Sequence, residues 1–228
     1  MNLNWLELLQ LPRQRRKLSL KMSFEYPPFE WRHLSPQPVI GVDEVGRGCL
    51  AGPVFASAAL LVPEHRIQGL TDSKLISGPR RAVLNEIVQN TQKTFTAFAT
   101  VEEIDELNIL WAAMLAMKRS VEDLANKLGL VSATVLVDGN TRIPDLDSRF
   151  KQITLVKGDL RAAPISAASI VAKVARDQLM VELGREFPGY GIEKHKGYAS
   201  AVHREAIQRK GPTSIHRKSF SGVKEFLL

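Results

Sequence analysis

The chain has 228 residues, 31 Lys and Arg against 24 Asp and Glu, a 44% hydrophobic content and one cysteine, Cys49. That is enough apolar material for a packed core, which excludes a wholly disordered chain, and a lone thiol excludes an internal disulfide and fits a reducing, cytoplasmic setting. No apolar run approaches the roughly 20 residues of a membrane span, the N-terminus reads as lacking a secretory signal, and the surplus of cations favours a polyanionic partner over a membrane.

Residues 1–37 differ in character from the rest of the chain. A short helix is expected over Leu3–Leu11, then a basic cluster at Arg13–Lys17 and an arm broken by Pro27, Pro28, Pro36 and Pro38. The segment reads as a basic N-terminal extension, with Met22 as an alternative start, ahead of one globular domain over 38–228. In that domain the first strand is Val39–Val42, followed by a turn containing Gly46, Gly48 and Gly52 and a second strand over Val54–Val62. Pro79–Gln89 has an amphipathic helical pattern, and Thr94–Val101 alternates like a strand. One long helix is expected over Ile104–Leu128, with Leu107, Leu110, Trp111, Met114, Leu115 and Met117 as its core-facing stripe. Short strands follow at Thr134–Val137 and Gln152–Val156, then a long helix over Ile165–Phe187 and a last one over Ala199–Lys210, stopped by Gly211-Pro212. This order predicts an α/β fold: one mixed five-stranded sheet flanked by helices, with a helical region at the C-terminal end.

Three of the apolar strands run into acid. Val39–Val42 meets Asp43 and Glu44, Thr134–Val137 meets Asp138, and Gln152–Val156 is soon followed by Asp159. Functional groups gather at the carboxyl ends of strands in α/β sheets, so neighbouring parallel strands would bring these acids together. Such a cluster repels itself unless cations neutralise it, and with no Cys/His set at zinc spacing the fitting ions are Mg2+ or Mn2+. Two ions about 4 Å apart serve phosphodiester hydrolysis by activating water and stabilising the leaving oxygen. An Asp after a strand is, taken singly, more often a turn former or a helix cap. The recurrence of the pattern, together with the basic stretch Lys194–Lys218 in which Glu205 is the only acid, points to a two-metal nuclease.

Beyond this, Val42-Asp43-Glu44-Val45-Gly46-Arg47-Gly48 followed by Ala51-Gly52-Pro53-Val54 resembles the signature of the ribonuclease HII family. The resemblance continues in family order through Asp72-Ser73-Lys74, Glu106-Leu107-Asn108, Val137-Asp138-Gly139-Asn140, Lys157-Gly158-Asp159, the run Ile165–Val174 with Arg176-Asp177, His195-Lys196-Gly197-Tyr198 with His203, and Gly211-Pro212 with His216-Arg217. It covers about residues 39–220 and leaves the N-terminal 37 outside. It implies a ribonuclease H-like fold in a monomer. It further implies endonucleolytic cleavage of the RNA strand of RNA–DNA hybrids, and cleavage 5′ of single ribonucleotides in duplex DNA, leaving 5′-phosphate and 3′-hydroxyl ends. On this resemblance Asp43, Glu44, Asp138 and Asp159 are the metal-binding catalytic acids. Gly46, Arg47, Gly48 and Tyr198 are the readers of a ribonucleotide joined to a deoxyribonucleotide, and Lys74, Lys196 and Arg47 are phosphate binders. Glycines let backbone approach a 2′-hydroxyl, the group that distinguishes RNA from DNA. The chain departs from the family pattern at Cys49, Leu75 and Ser200, none of them a ligand; Leu75 puts one phosphate contact in doubt.

Other conspicuous residues have plainer readings. Asp177 beside Arg176 fits a helix ion pair, His195, His203 and His216 fit phosphate contact or loop support, Cys49 fits packing, and Asp145 and Asp147 fit a solvated loop. Two rival functions compete with the nuclease. A sugar-kinase-like ATPase would need a second glycine-rich phosphate loop, and a hybrid-binding module without catalysis would gain nothing from four acids.

Overall fold

The structure is a computed structural model that describes residues 26–227; the expected helix at Leu3–Leu11 and the basic cluster at Arg13–Lys17 lie outside the described residues. Five strands form one sheet: β1 (Val39–Val45), β2 (Val54–Leu60), β3 (Lys93–Ala99), β4 (Ala133–Asp138) and β5 (Phe150–Leu155), in the spatial order β3-β2-β1-β4-β5. The β1–β2 and β2–β3 pairs are antiparallel, and β1–β4 and β4–β5 are parallel. The predicted mixed sheet is therefore present, with its parallel half holding the three strands that end in acid. The helices are α1 (Gly78–Thr91), α2 (Val101–Leu107), α3 (Ile109–Lys127), α4 (Gly158–Arg161), α5 (Ala163–Glu186), α6 (Ile192–His195) and α7 (Ala201–Lys210).

Strand alternation decides which face each residue serves. Ile40, Val42, Val135 and Val137 pack with Ala112, Ala113, Ala116, Met117 and Val121 of α3, while Val39 and Leu136 pack with Ile165, Ala167, Ala168 and Val171 of α5. By the same parity Asp43 and Asp138 face α5. That helix begins close against the sheet: a Cβ on Gly41 would lie 2.2 Å from the Pro164 carbonyl carbon. A smaller core under the C-terminal region joins Leu50, Met180, Tyr190, Ile192, Ala206, Ile207 and Val223.

Several details depart from the sequence reading. The helix expected over Ile104–Leu128 is two helices, broken at Asn108, which sits at φ 69° and caps α3 by accepting from the amides of Leu110 and Trp111 at 3.0 and 3.4 Å. Asn tolerates this left-handed backbone better than most residues. The predicted core stripe is corrected accordingly. Met114 and Met117 are buried, but Leu107 and Trp111 are 37% and 45% exposed, and alanines let α3 lie close on the sheet. Two short helices, α4 and α6, lack any periodic signal and were not expected. Ser200 caps α7, accepting from the His203 amide at 3.2 Å. Residues 26–37 contain no helix or strand, yet they are fastened to the domain. The Phe29 amide donates to the Arg161 carbonyl at 2.8 Å, the Thr134 hydroxyl donates to the Pro36 carbonyl at 2.7 Å, and Trp31 is buried.

Candidate active site

The acids converge because β1, β4 and β5 are neighbours pointing the same way. Val42 is opposite Val137 in the β1–β4 register, so Asp43 and Asp138 leave their strands side by side, and Asp138 is paired with Leu155 across β4–β5. Asp159 follows in the first turn of α4. Local hydrogen bonds fix these side chains. Asp43 Oδ1 accepts from the Glu44 amide at 2.8 Å, and Asp138 Oδ1 accepts from the Gly158 amide at 2.7 Å. The Ser169 hydroxyl of α5 donates to the Ser73 hydroxyl at 3.0 Å.

Electrostatically the four carboxyls disfavour one another. Burial holds Asp43 well above the usual carboxylate range, with Glu44, Asp138 and Asp159 adding to the rise. Burial also raises Glu44 and Asp138. Asp159 is pushed up to about 7 by burial and by the charges of Asp72 and Asp138. Among the described residues no group of three His, Cys, Asp or Glu side chains is arranged to hold a metal ion, and the Glu44 carboxylate lies 3.3 Å from the Arg47 guanidinium. The donor set consists of carboxylate oxygens without thiol or imidazole, and this fits a hard divalent ion.

Around the acids stand the other expected residues. Lys74 is exposed on a short 3-10 turn whose Asp72 cap accepts from the Lys74 amide at 2.8 Å. Burial works against its charge, but Asp72, Asp43 and Asp159 outweigh that and raise its pKa. Tyr198 is 39% exposed and its backbone bridges to Cys49, so the tyrosine and the Gly46–Gly48 loop form one surface. The Lys173 ammonium lies 5.6 Å from the centre of the Tyr198 ring and 2.6 Å from Asp177, which makes Asp177 part of a helix ion pair. The Lys196 ammonium donates to the Glu193 carbonyl, so this expected phosphate binder is held by its own loop.

The basic Lys194–Lys218 stretch is not uniformly a surface. Arg217 is fully buried, as are His203 and His216. The two imidazoles form a single relay in their neutral forms. The Thr213 amide donates to His216 Nδ1 at 2.9 Å, the two Nε2 atoms share a hydrogen at 3.1 Å, and His203 Nδ1 donates to the Tyr198 carbonyl at 2.9 Å. Burial lowers both pKa values, His216 to about 4, which keeps the pair neutral at physiological pH. These histidines therefore hold loops. Arg176, also fully buried, joins Arg217 behind the glycine loop. Sequence reading missed the part played by both arginines: Arg217 lies in the basic stretch that reads as phosphate contacts, and Arg176, next to Asp177, reads as half of a helix ion pair.

Comparison with known proteins agrees with this geometry. The family model described as Ribonuclease HII matches residues 40–223. A Ribonuclease HII of Zymomonas mobilis is 49% identical over 188 residues, covering 82% of this chain and 86% of the relative. Among solved structures, the complex of PCNA and RNase HII from Archaeoglobus fulgidus aligns with a TM-score of 0.67 at 25% identity, covering 81% of this chain and 96% of that one. Bst-RNase HIII in complex with Mn2+ aligns with a TM-score of 0.68 at 18% identity, covering 85% of this chain and 70% of that one, a likeness of fold.

Proposed function

Since the chain belongs to the ribonuclease HII family, whose members are endonucleases of RNA–DNA hybrids, we propose that it also cuts on the 5′ side of single ribonucleotides in duplex DNA, using two divalent ions. The observation that carries this reading is the meeting of Asp43 and Asp138 on adjacent parallel strands, beside a glycine loop that is bridged through Cys49 to Tyr198. Asp43, Glu44, Asp138 and Asp159 would hold the ions, Mg2+ or Mn2+. When bound, such ions activate water and stabilise the leaving oxygen in phosphodiester hydrolysis.

The chain's own residues do the rest. The carboxylates and their backbone donors fix where the scissile phosphate can settle. Arg47 and Lys74, both exposed, bring positive charge to its flanking phosphates, which position a strand without reading sequence. The Gly48 backbone offers a surface that a ribose can approach closely: a Cβ there would meet nothing within 4 Å. The exposed part of the Tyr198 ring suits the next sugar, where a deoxyribose leaves room that a 2′-hydroxyl would fill. Cleavage leaves a 5′-phosphate and a 3′-hydroxyl.

The test is a comparison of two substrates. Tyr198→Ala is expected to lose more activity on a duplex with one ribonucleotide than on one with a four-ribonucleotide tract, by about tenfold in the ratio, since stacking against one residue is worth about 1–3 kcal/mol. Equal losses on both would remove Tyr198 from junction reading. A kinase-like activity would instead show as ATP hydrolysis, and a pure binding module as retention of the hybrid without any cut when divalent ions are added.

A further inference from the structure

Two arginines with no exposed surface sit behind the Gly46–Pro53 loop, and among the described residues neither is within ion-pair distance of a carboxylate. Their partners are backbone carbonyls. Arg217 donates from Nε to Gly52 at 2.9 Å, from Nη1 to Arg47 at 2.8 Å, and from Nη2 to Gly46 at 2.7 Å and Gly52 at 2.8 Å. Arg176 donates to Pro53 at 3.0 Å, Lys196 at 2.9 Å and Ala51 at 3.1 Å. A buried guanidinium costs free energy unless its donors are satisfied, and here carbonyl oxygens alone do this.

The choice of carbonyls has a geometric consequence. A trans peptide unit is planar, so its carbonyl and its amide point in opposite directions. Drawing the Gly46 and Arg47 carbonyls inward onto Arg217 turns the amides of Arg47 and Gly48 outward. Those two residues are exposed, and among the described residues no acceptor is bonded to either amide. The neighbouring amides are already used: Cys49 donates to Gly46 at 3.4 Å, Leu50 to Gly197 at 2.8 Å and Gly52 to Ile215 at 2.8 Å. Arg176 hydrogen-bonds other peptides, at Ala51, Pro53 and Lys196, and neither of the two that matter, although its side chain packs against Gly46. Resting on the ribose-reading role proposed above, we propose that Arg217 is the positioning residue for ribose recognition, fixing the amides of Arg47 and Gly48 as a pair of outward donors for the ribose hydroxyl and its phosphate. Arg176, by contrast, packs against Gly46 but spends its donors on Ala51, Pro53 and Lys196, and so holds neither of those two amides in place.

Arg217→Lys keeps the charge but offers one nitrogen in place of a planar fork, so it cannot hold Gly46, Arg47 and Gly52 together. Arg176→Lys makes the equivalent change on the anchoring side and serves as the structural control. Both are built on an Asp138→Asn background, so that neither duplex is cut. Melting temperatures are recorded for all. Dissociation constants are then measured with Mg2+ for a duplex bearing one embedded ribonucleotide and for the same sequence as DNA alone. The expected result is that Arg217→Lys lowers the preference for the ribonucleotide by about tenfold, the worth of one or two hydrogen bonds, whereas Arg176→Lys leaves the preference intact even where its melting temperature falls as far. If both variants lose preference in step with their loss of stability, or if Arg217→Lys keeps it, Arg217 is only a structural tie and the proposal is overturned. If the Asp138→Asn parent itself shows no preference, the ribose-reading role fails first and this inference falls with it.

Discussion

Asp138→Asn and Asp159→Asn are each expected to lower cleavage by at least about 100-fold while leaving the fold intact. Residues that merely orient metal ligands already cost about 10–100-fold when changed, and on the proposed reading these two bind ions directly. Asp147→Asn, in a loop where the carboxylate serves Arg149 at 3.3 Å, is expected to leave cleavage unchanged and controls for a general charge effect. Asp159 provides a second, independent readout. Its folded-state pKa is raised from 3.8 to about 7, so its contribution favours the folded state fully below about pH 4 and is lost as the pH rises through 7. In the metal-free protein at pH 8, Asp159→Asn should therefore melt higher than the wild type, by about 2–4 °C for each kcal/mol relieved, with little difference near pH 4. Saturating Mg2+ should reverse the order, since only the wild type gains fully from bound ions. A variant that melts lower than the wild type at pH 8 in chelator would show that Asp159 is held by structural partners and not by an empty acid cluster.

The second large effect separates two glycines with only Arg47 between them. Gly46 has φ +97°, and a Cβ there would lie 2.2 Å from Nε of Arg176, an arginine with no room to withdraw. Backbone strain of about 1–3 kcal/mol and overpacking of about 1–3 kcal/mol should add, so Gly46→Ala is expected to destabilise the protein markedly and abolish most cleavage. Gly48 is different, for an alanine there meets no protein atom. Gly48→Ala should keep the wild-type melting temperature and still lose activity on both hybrid and single-ribonucleotide duplexes, because on the proposed reading its methyl would occupy the side from which the ribose approaches. If Gly48→Ala cuts like the wild type, the backbone at this position is not against the substrate.

How far these features were legible in the sequence differs from one to the next. Strand-then-acid junctions at Asp43, Asp138 and Asp159 could be read because apolar runs and their sudden polar ends are local. Their convergence could not, since it depends on β4 pairing beside β1 across a sequence gap filled by β2, α1, β3, α2 and α3. The glycine loop was legible as a turn, but the reason for Gly46 was not: it lies in Arg176, far along the chain. Periodicity overreached at Ile104–Leu128, where it cannot register a single left-handed Asn, and it assigned Trp111 to the core when small alanines allow the closer helix–sheet approach. Charge counting failed at Arg217 for a related reason, because composition cannot tell a cation facing phosphate from one that is spending its donors on buried carbonyls; for His203 and His216 loop support was already one of two readings, and their burial decides for it.

One measurement bears most directly on the central claim that the glycine loop and Tyr198 read a ribonucleotide beside a carboxylate metal site. The wild-type protein is incubated with duplexes of one sequence carrying no ribonucleotide, one, or four, with Mg2+ or Mn2+ or chelator, and the cut positions and end groups are mapped. The account predicts no cut in DNA alone or in chelator, cuts within the four-ribonucleotide tract, and a single cut on the 5′ side of the lone ribonucleotide, leaving a 3′-hydroxyl and a 5′-phosphate. Cleavage of the tract with the single-ribonucleotide duplex left intact under both metals would contradict it.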